Sequence, residues 1–183
     1  MKLKALVLLI LILASYACFG QTFMIVAVEI LDGEELRRPF ASQEGMIEGM
    51  FDSGFVSFDT GLYAPAVDWA DLDFREPLHI ARQGLAQYLL AAEVRSISER
   101  RDLPAHQNGD SESPPEPALK IETFVRYYLF DATTAAVLGE GEFVMDNESP
   151  EMQHLTYTQF LHTTGREITA RGIDLMKQTA RNR

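Results

Sequence analysis

The residues best suited to chemistry are the carboxylates of one short segment around the single tryptophan. Asp68, Asp71 and Asp73 flank Trp69 within six residues. Three carboxylates in one loop could hold Ca²⁺, but their spacing is not that of an EF-hand and no glycine occupies the turn position. A solvated acidic loop is the simpler interpretation, and Trp69 is expected to pack over the sheet edge rather than to stack on a sugar or a partner. We therefore predict an exposed interaction loop formed by Asp68, Trp69, Asp71 and Asp73, and no metal site.

The other candidate groups do not form a recognisable catalytic or metal-binding pattern. His154 and His162 lie two turns apart on a predicted helix, which is too far for one metal ion without other ligands. The Gly-Glu-Gly of residues 139–141 falls inside a predicted strand, so it is not a phosphate cradle. Glu140 and Glu142 share a strand face, where mixed surface charge explains them more simply than a glycosidase pair. The sequence predicts neither an enzyme nor a cofactor.

Composition and charge exclude several classes of partner. The 183 residues are 46% hydrophobic and 23% charged, as in an ordinary globular protein. The 27 acidic residues outnumber the 16 basic ones, giving a net charge of −11. This charge argues against nucleic-acid binding and against a polybasic membrane patch, since both depend on Lys and Arg. The single cysteine excludes a disulfide framework and a cysteine-rich metal knuckle.

The amino terminus has the pattern of an export signal. Lys2 and Lys4 precede an uninterrupted apolar run over residues 5–14. This run is too short to span a bilayer, which takes about 20 residues. A basic start, a short apolar centre and small residues after it predict a secretory signal over residues 1–20, with cleavage after Ala17 or after Gly20. We therefore expect the chain to be exported, to the periplasm or to a membrane surface.

The only cysteine lies at a position that suggests a lipid anchor. Residues 13–18, Leu-Ala-Ser-Tyr-Ala-Cys, resemble a bacterial lipoprotein box, in which the cysteine is lipidated after cleavage. Ala17 fits this pattern, whereas Ser15 replaces the usual leucine. Two outcomes stay open: Cys18 carries a lipid, or it is removed with the signal. Membrane attachment is predicted only through a lipid at Cys18.

The remaining chain, residues 21–183, predicts a single α/β domain. The first part contains, in order, a buried strand over residues 23–28, a helix capped by Ser42 and ended by Gly54, and a short strand over residues 55–58. A loop over residues 61–73 then leads to a second helix that begins near Pro77. Its apolar stripe is predicted to consist of Leu78, Ala81, Leu85, Tyr88 and Leu89. A strand over residues 90–97 follows.

The second part predicts a hairpin and a long helix. Residues 100–117 are rich in Pro, Ser, Gly and acid, which favours a flexible loop. Strands over residues 121–129 and 137–145 then form an antiparallel hairpin, with a polar face that includes Lys120, Glu122 and Arg126. In the final helix, over residues 151–177, Gly165 and Gly172 interrupt an apolar stripe and predict close approach to a sheet. The order β-α-β-α-β-β-β-α defines an α/β (α+β) fold, with one mixed sheet of about five strands covered by helices.

Several short segments together resemble a known group of envelope proteins. They are the apolar strand of residues 23–29, residues 51–56 (Phe-Asp-Ser-Gly-Phe-Val), residues 86–91 (Ala-Gln-Tyr-Leu-Leu-Ala) and the hairpin segment 128–133 (Tyr-Leu-Phe-Asp-Ala-Thr). With their order along the chain, they resemble the α/β domain shared by the amino-terminal domain of TolB, the curli-secretion lipoprotein CsgG and the penicillin-binding-protein activator LpoB. The resemblance implies an envelope protein that binds other proteins, and it carries over no catalytic residues.

Two functions are compatible with these observations. The first is a non-enzymatic envelope adaptor or assembly factor, periplasmic or tethered through Cys18, that binds envelope proteins through exposed loops and edges. The second is a periplasmic protein that binds, or hydrolyses, a small ligand or glycan through Trp69 and its neighbouring carboxylates. The absence of a catalytic pattern favours the first.

Overall fold

The structure, a computed structural model, describes residues 21–35, 40–61, 67, 69, 71–101, 118–149 and 151–181. Within these ranges the chain forms six strands and three helices. The strands are β1 (Thr22–Leu31), β2 (Glu34–Glu35), β3 (Val56–Phe58), β4 (Tyr88–Arg101), β5 (Ala118–Asp131) and β6 (Val137–Asp146). The helices are α1 (Ala41–Asp52), α2 (Arg75–Gln83) and α3 (Tyr157–Arg181). The predicted signal over residues 1–20, with Cys18, lies outside the described residues.

The strands form one mixed sheet in the order β2-β1-β4-β5-β6, and β3 also pairs with β1. β1 is parallel to β3 and β4, and the register of β1 with β4 runs from Phe23 opposite Tyr88 to Leu31 opposite Ser96. β4, β5 and β6 are antiparallel neighbours. The predicted α/β class and mixed sheet are confirmed. The sheet has six strands rather than about five because the two-residue β2 folds back on β1.

The two faces of the sheet are covered unequally. Along β1, Phe23 and Ile25 face α1 and α3, whereas Met24 and Val26 face α2. β1 is therefore buried on both faces, as its continuous apolar run predicted. The nine-residue α2 packs only near the starts of β1 and β4 and the end of β5. The rest of that face, on β4, β5 and β6, carries no helix in the described part of the chain.

α1 and α3 cross so closely that their backbones touch. A Cβ atom on Gly165 would lie 2.0 Å from the carbonyl oxygen of Ser42, and one on Gly45 would lie 2.0 Å from that of His162. A Cβ on Gly172 would instead lie 3.0 Å from the side chain of Leu90 in β4. The predicted approach of the glycine stripe to the sheet is thus correct for Gly172 but wrong for Gly165, because Gly165 lies against the backbone of α1.

The prediction that the second helix continues to Leu89 is wrong. α2 ends at Gln83, and Tyr88 and Leu89 belong to β4. Leu85 adopts a left-handed conformation with φ +59°. The backbone N–H of Gln87 donates to the carbonyl of Thr22, so pairing with β1 takes over from the helix. Strand pairing therefore overrides an apolar spacing that fits a helix equally well.

Two helix starts also differ from prediction. Ser42 does not cap α1: its backbone N–H donates to Oε1 of the buried Glu29 at 2.6 Å, so a side chain from β1 supplies the cap. The last helix begins at Tyr157 rather than Glu151. Thr156 and Gln159 cap it reciprocally, since each side chain accepts a hydrogen bond from the other residue's backbone N–H.

The connection between β4 and β5 also starts at a different residue from the one predicted. β4 continues to Arg101, so the first two residues of the predicted loop 100–117 belong to a strand. Residues 102–117 lie outside the described residues, and their flexibility stays a prediction. The hairpin of β5 and β6 is confirmed. Its turn is fixed by Asp131, whose Oδ1 accepts the backbone N–H groups of Thr133 and Thr134.

Candidate interaction surfaces

Trp69 lies in the predicted interaction loop, next to the start of α2. Its ring packs edge-on against Phe74, with ring centroids 5.2 Å apart, at the border of the apolar cluster under α2. Asp71 is exposed, and Asp68 lies outside the described residues. Trp69 is half-buried and helps to close the core. The role of this loop in interaction stays a prediction.

Asp73 is engaged by its own neighbour. Both of its carboxylate oxygens accept hydrogen bonds from the Arg75 guanidinium, and Oδ1 also accepts the Arg75 backbone N–H at 3.0 Å. These hydrogen bonds lower the pKa of Asp73 to about 2. The carboxylate therefore fixes the start of α2.

The Asp73 carboxyl is expected to titrate with a midpoint of about 2 in the folded chain, because Arg75 stabilises its ionised form. A carboxyl-detected NMR titration measures this midpoint. Any stabilisation from the pair is present above about pH 3.8 and is lost as the pH falls through the folded-state value. Arg75→Ala should return the midpoint towards 3.8, and Lys177→Ala, on α3, should not. A wild-type midpoint near 3.8 would contradict this assignment.

The two histidines of the carboxyl-terminal segment are far from forming a metal site. His162 lies on α3, where its Nε2 is 2.8 Å from a carboxylate oxygen of Glu48 on α1. Arg166 bridges Glu48 and Asp52 from one turn further along α3. His154 lies in the turn before α3. The described part of the chain contains no group of three or more His, Cys, Asp or Glu side chains that could hold a metal ion.

Beyond α2, one face of β4, β5 and β6 is not covered by any helix in the described ranges. The sequence predicted this surface only in part. Directly opposite residues of neighbouring strands share a face, so three cross-strand rows define it. We call this surface the open face; its rows are Glu93–Arg126–Glu142, Arg95–Phe124–Val144 and Ile97–Glu122–Asp146.

The open face combines fixed charges with exposed apolar side chains. Arg126 Nε donates to Glu142 Oε1 at 2.9 Å, and Arg95 donates to the buried Glu93 at 2.6 Å. Between and beside these ion pairs lie exposed apolar side chains: Ile97 is 62% exposed, Phe124 36% and Val144 55%. An apolar centre with a charged surround is the composition of a surface that contacts another protein.

The alternation along β5 predicted part of this surface. Lys120, Glu122 and Arg126 share one face as expected, and Lys120 is 3.4 Å from Glu148. Phe124 has the same parity, but an isolated apolar residue in a polar row gives no signal by itself. Its apolar neighbours come from β4 and β6, so only the strand register brings the three together.

None of the helices in the described ranges is both long enough and apolar enough to cross a bilayer. No protein-family model matches the chain, and no curated protein does. The class that the structure defines is a mixed α/β sheet with helices on both faces.

Solved structures with a similar fold include three from bacteria. The PelC dodecamer from Paraburkholderia phytofirmans is 10% identical, with TM-score 0.48, and the match covers 86% of this chain and 89% of that one. The LpoB C-terminal domain from Salmonella enterica is 14% identical, with TM-score 0.43, covering 69% and 82%. TolB from Acinetobacter baumannii is 11% identical, with TM-score 0.41, covering 88% of this chain and 28% of that one.

LpoB and TolB belong to the group that the sequence resembles, so the predicted resemblance is confirmed. All three TM-scores are below 0.5 and all three identities are below 15%. The likeness therefore carries no argument about activity or partners, which must come from the chain's own residues.

Proposed function

We propose that this chain is an exported cell-envelope protein that acts by binding another protein through the open face. In this proposal it is an adaptor or assembly factor without a catalytic centre. It works in the periplasm or at a membrane surface, to which a lipid on Cys18 would tether it. The observation that carries the proposal is the exposed group of Ile97, Phe124 and Val144 among fixed ion pairs on a paired sheet.

The amino-terminal sequence supports the location. A basic start, ten apolar residues over 5–14 and small residues at Ser15, Ala17 and Gly20 have the pattern of a secretory signal. The described fold begins directly after it, because Gln21 is followed by β1 at Thr22. Cleavage after Ala17 or Gly20 would therefore leave every strand and helix intact.

The geometry of the open face supports a contact role. β4 and β5 pair over fourteen residues, and β5 pairs with β6, so the backbone below the face is held by continuous hydrogen bonding. The two ion pairs hold long side chains in place before any partner arrives. A surface that is ordered in advance loses less conformational entropy on binding.

The carboxylates that could have formed a catalytic pair support the same conclusion. Glu140 and Glu142 are exposed on the edge strand β6, and Glu142 is paired with Arg126. Exposed carboxylates on an edge strand, one of them paired with an arginine, are explained by surface charge and need no reaction. The proposal accordingly assigns no reaction to them.

A photocrosslinking residue placed at Ile97 or Val144 is expected to give the same discrete protein adduct in intact cells. The same residue at Asp174, which is exposed on α3, should not give this adduct. Both open-face positions lie where a bound partner would contact the sheet, whereas Asp174 does not. Mass spectrometry of the adduct identifies the partner and the crosslinked positions.

A second substitution tests whether the open face itself causes the contact. Phe124→Ser should remove most of the adduct at Ile97 and Val144, because it removes an apolar contact between them. Asp174→Ser, at an exposed side chain of α3 outside the open face, serves as the control and should leave the adduct unchanged. If correctly exported protein gives no adduct at either position, or equal adducts at Asp174, the proposal is wrong.

A further inference from the structure

A second group of exposed apolar side chains lies at one end of the sheet. These are Phe51 (58% exposed), Val56 (49%), Leu85 (83%) and Val137 (56%). None of them belongs to the open face. Large apolar side chains that cluster on a surface mark a contact with another molecule or with a membrane.

Pairing of the strands places this group at the end where β1 begins. Val56 is opposite Thr22, and Val137 is opposite Phe130, one residue before the end of β5. Leu85 lies two residues before Gln87, whose N–H donates to Thr22. Phe51 is in the last turn of α1, and α1 ends at this same end of the sheet. We call these four side chains the apolar end.

Leu85 is the most exposed residue of the apolar end, at 83%. Its φ of +59° is the left-handed conformation, which is strained for a leucine and natural for glycine or asparagine. A strained residue persists when something offsets its cost. Backbone hydrogen bonds at the end of α2 offset the cost here, since the N–H of Ala86 donates to the Ala81 carbonyl and that of Leu85 to the Arg82 carbonyl. The Leu85 side chain itself is almost fully exposed and adds no packing.

The charges around the apolar end differ from those of the rest of this acidic chain. Arg82, Lys177 and Arg181 lie there, at the carboxyl-terminal ends of α2 and α3. The nearby acids are occupied: Asp52 is paired with Arg166, Asp131 caps the hairpin turn, and Asp174 is 4.0 Å from Lys177. At the opposite end of the sheet, acidic residues dominate: Glu34, Glu35, Glu99, Glu122, Asp146 and Glu148.

The sequence before β1 indicates which kind of surface the apolar end would contact. Gln21 follows Cys18 by three residues and the apolar run 5–14 by seven. At about 3.5 Å per residue, these segments reach about 10 Å and about 25 Å from the domain. Attachment to a bilayer through a lipid on Cys18 would hold this end of the sheet close to the membrane surface.

We propose that the apolar end rests on a phospholipid bilayer, with Phe51, Val56, Leu85 and Val137 inserted into its interface. Basic side chains beside the apolar ones then meet lipid phosphates, and the acidic end points away from the membrane. This orientation leaves the open face beside the membrane and accessible to a protein. The inference depends on export and on a lipid at Cys18, and not on the partner-binding role proposed above.

Depth-dependent quenching tests this orientation in the full chain. The sulfur of Cys18, the only cysteine, carries the lipid in the lipidated chain and does not react with a thiol label; mass spectrometry verifies this lipid first, and its absence would overturn the proposal. In this lipidated chain one further cysteine is introduced by Phe51→Cys, Val56→Cys or Leu85→Cys and labelled with an environment-sensitive fluorophore. Each protein is bound to phosphatidylethanolamine–phosphatidylglycerol vesicles that contain a lipid with a nitroxide near the headgroup. Ile97→Cys and Val144→Cys, on the open face, are controls with similar exposure.

We expect at least threefold stronger quenching at residues 51, 56 and 85 than at residues 97 and 144. All variants keep the signal and the lipidated Cys18, so they share the same attachment and differ only in the labelled position. Equal quenching at both sets of positions, or none at the apolar end, would overturn the proposal. This failure would leave the open-face proposal intact, since crosslinking tests that proposal in a separate experiment.

A pair of substitutions separates membrane contact from folding. Leu85→Gly removes the side chain and relieves the left-handed strain, so the folded domain should be at least as stable. Combined with Phe51→Ser, it should at least halve the quenching at Val56→Cys. Unchanged quenching in this double variant would also overturn the proposal.

Discussion

Replacing Gly165 with alanine is expected to lower the free energy of unfolding by about 3 kcal/mol or more. The new Cβ atom would lie 2.0 Å from the carbonyl oxygen of Ser42 and 2.9 Å from the backbone nitrogen of Met46. These are backbone atoms of α1, so no side-chain rotation relieves the clash and the two helices must separate. Urea unfolding followed by circular dichroism measures the loss.

Separation of the helices would also disturb contacts beyond the glycine. Thr169 Oγ1 donates to the carbonyl of Met46 at 2.9 Å, and Gly49 lies against the same threonine. Gly45 presents the reciprocal contact, since a Cβ atom there would lie 2.0 Å from the His162 carbonyl oxygen. The crossing therefore depends on small residues on both helices, and we expect Gly45→Ala to be as costly as Gly165→Ala.

Gly172→Ala is the matched control on the same helix. Its Cβ would meet only the methyl groups of Leu90 at 3.0 Å, and a leucine side chain can move. Alanine also gains about 1 kcal/mol in helix propensity over glycine. We expect Gly172→Ala to stay within about 1 kcal/mol of the wild type. Equal losses for Gly165→Ala and Gly172→Ala would contradict the backbone clash.

Replacing Glu29 with alanine is expected to cost about 1–3 kcal/mol, the second largest effect. Glu29 is 2% exposed on β1, and its Oε1 accepts the backbone N–H of Ser42 at the start of α1. Alanine would leave this buried N–H without an acceptor. Glu29→Gln keeps an oxygen of similar position and should cost much less, which identifies the cap as the cause.

The stability that Glu29 provides should depend on pH. Burial raises the pKa of Glu29 above its usual 4.5, the hydrogen bonds from Ser42 oppose this shift, and the charge of Glu44 adds to it. A group with a raised folded-state pKa stabilises fully below its unfolded pKa, and this stabilisation is lost as the pH rises through the folded value. We therefore expect the stability of wild type relative to Glu29→Gln to decrease from about pH 4.5 upward. A difference that stays constant between about pH 4 and about pH 8 would contradict the raised pKa.

Local patterns predicted the elements whose burial follows from their own residues. The apolar run 23–28 predicted a strand covered on both faces, and the alternation over 121–129 predicted a strand of the hairpin; both are present. The stop at Gly54 is also present, with φ +82°. In each case the signal and the structure lie within one element, so distant contacts do not change the outcome.

Predictions failed where residues distant in sequence decide the structure. Leu85, Tyr88 and Leu89 fit a helical stripe, but hydrogen bonding of Gln87 to Thr22 starts a strand instead. Ser42 fits a helix cap, but a carboxylate thirteen residues earlier supplies the acceptor. Sequence spacing indicates which local structures are compatible with a segment, and strand partners select among them.

The two proposed contact surfaces, the open face and the apolar end, also depend on residues that are distant in sequence. Ile97, Phe124 and Val144 come from three strands, and Phe51, Val56, Leu85 and Val137 come from segments up to 86 residues apart. The sequence by itself determined the order of the main elements and the acidic character of the chain, and it predicts an export signal. Only the tertiary structure decided which apolar side chains stay exposed together, because the short α2 leaves half of one sheet face uncovered and the register of the strands aligns those residues.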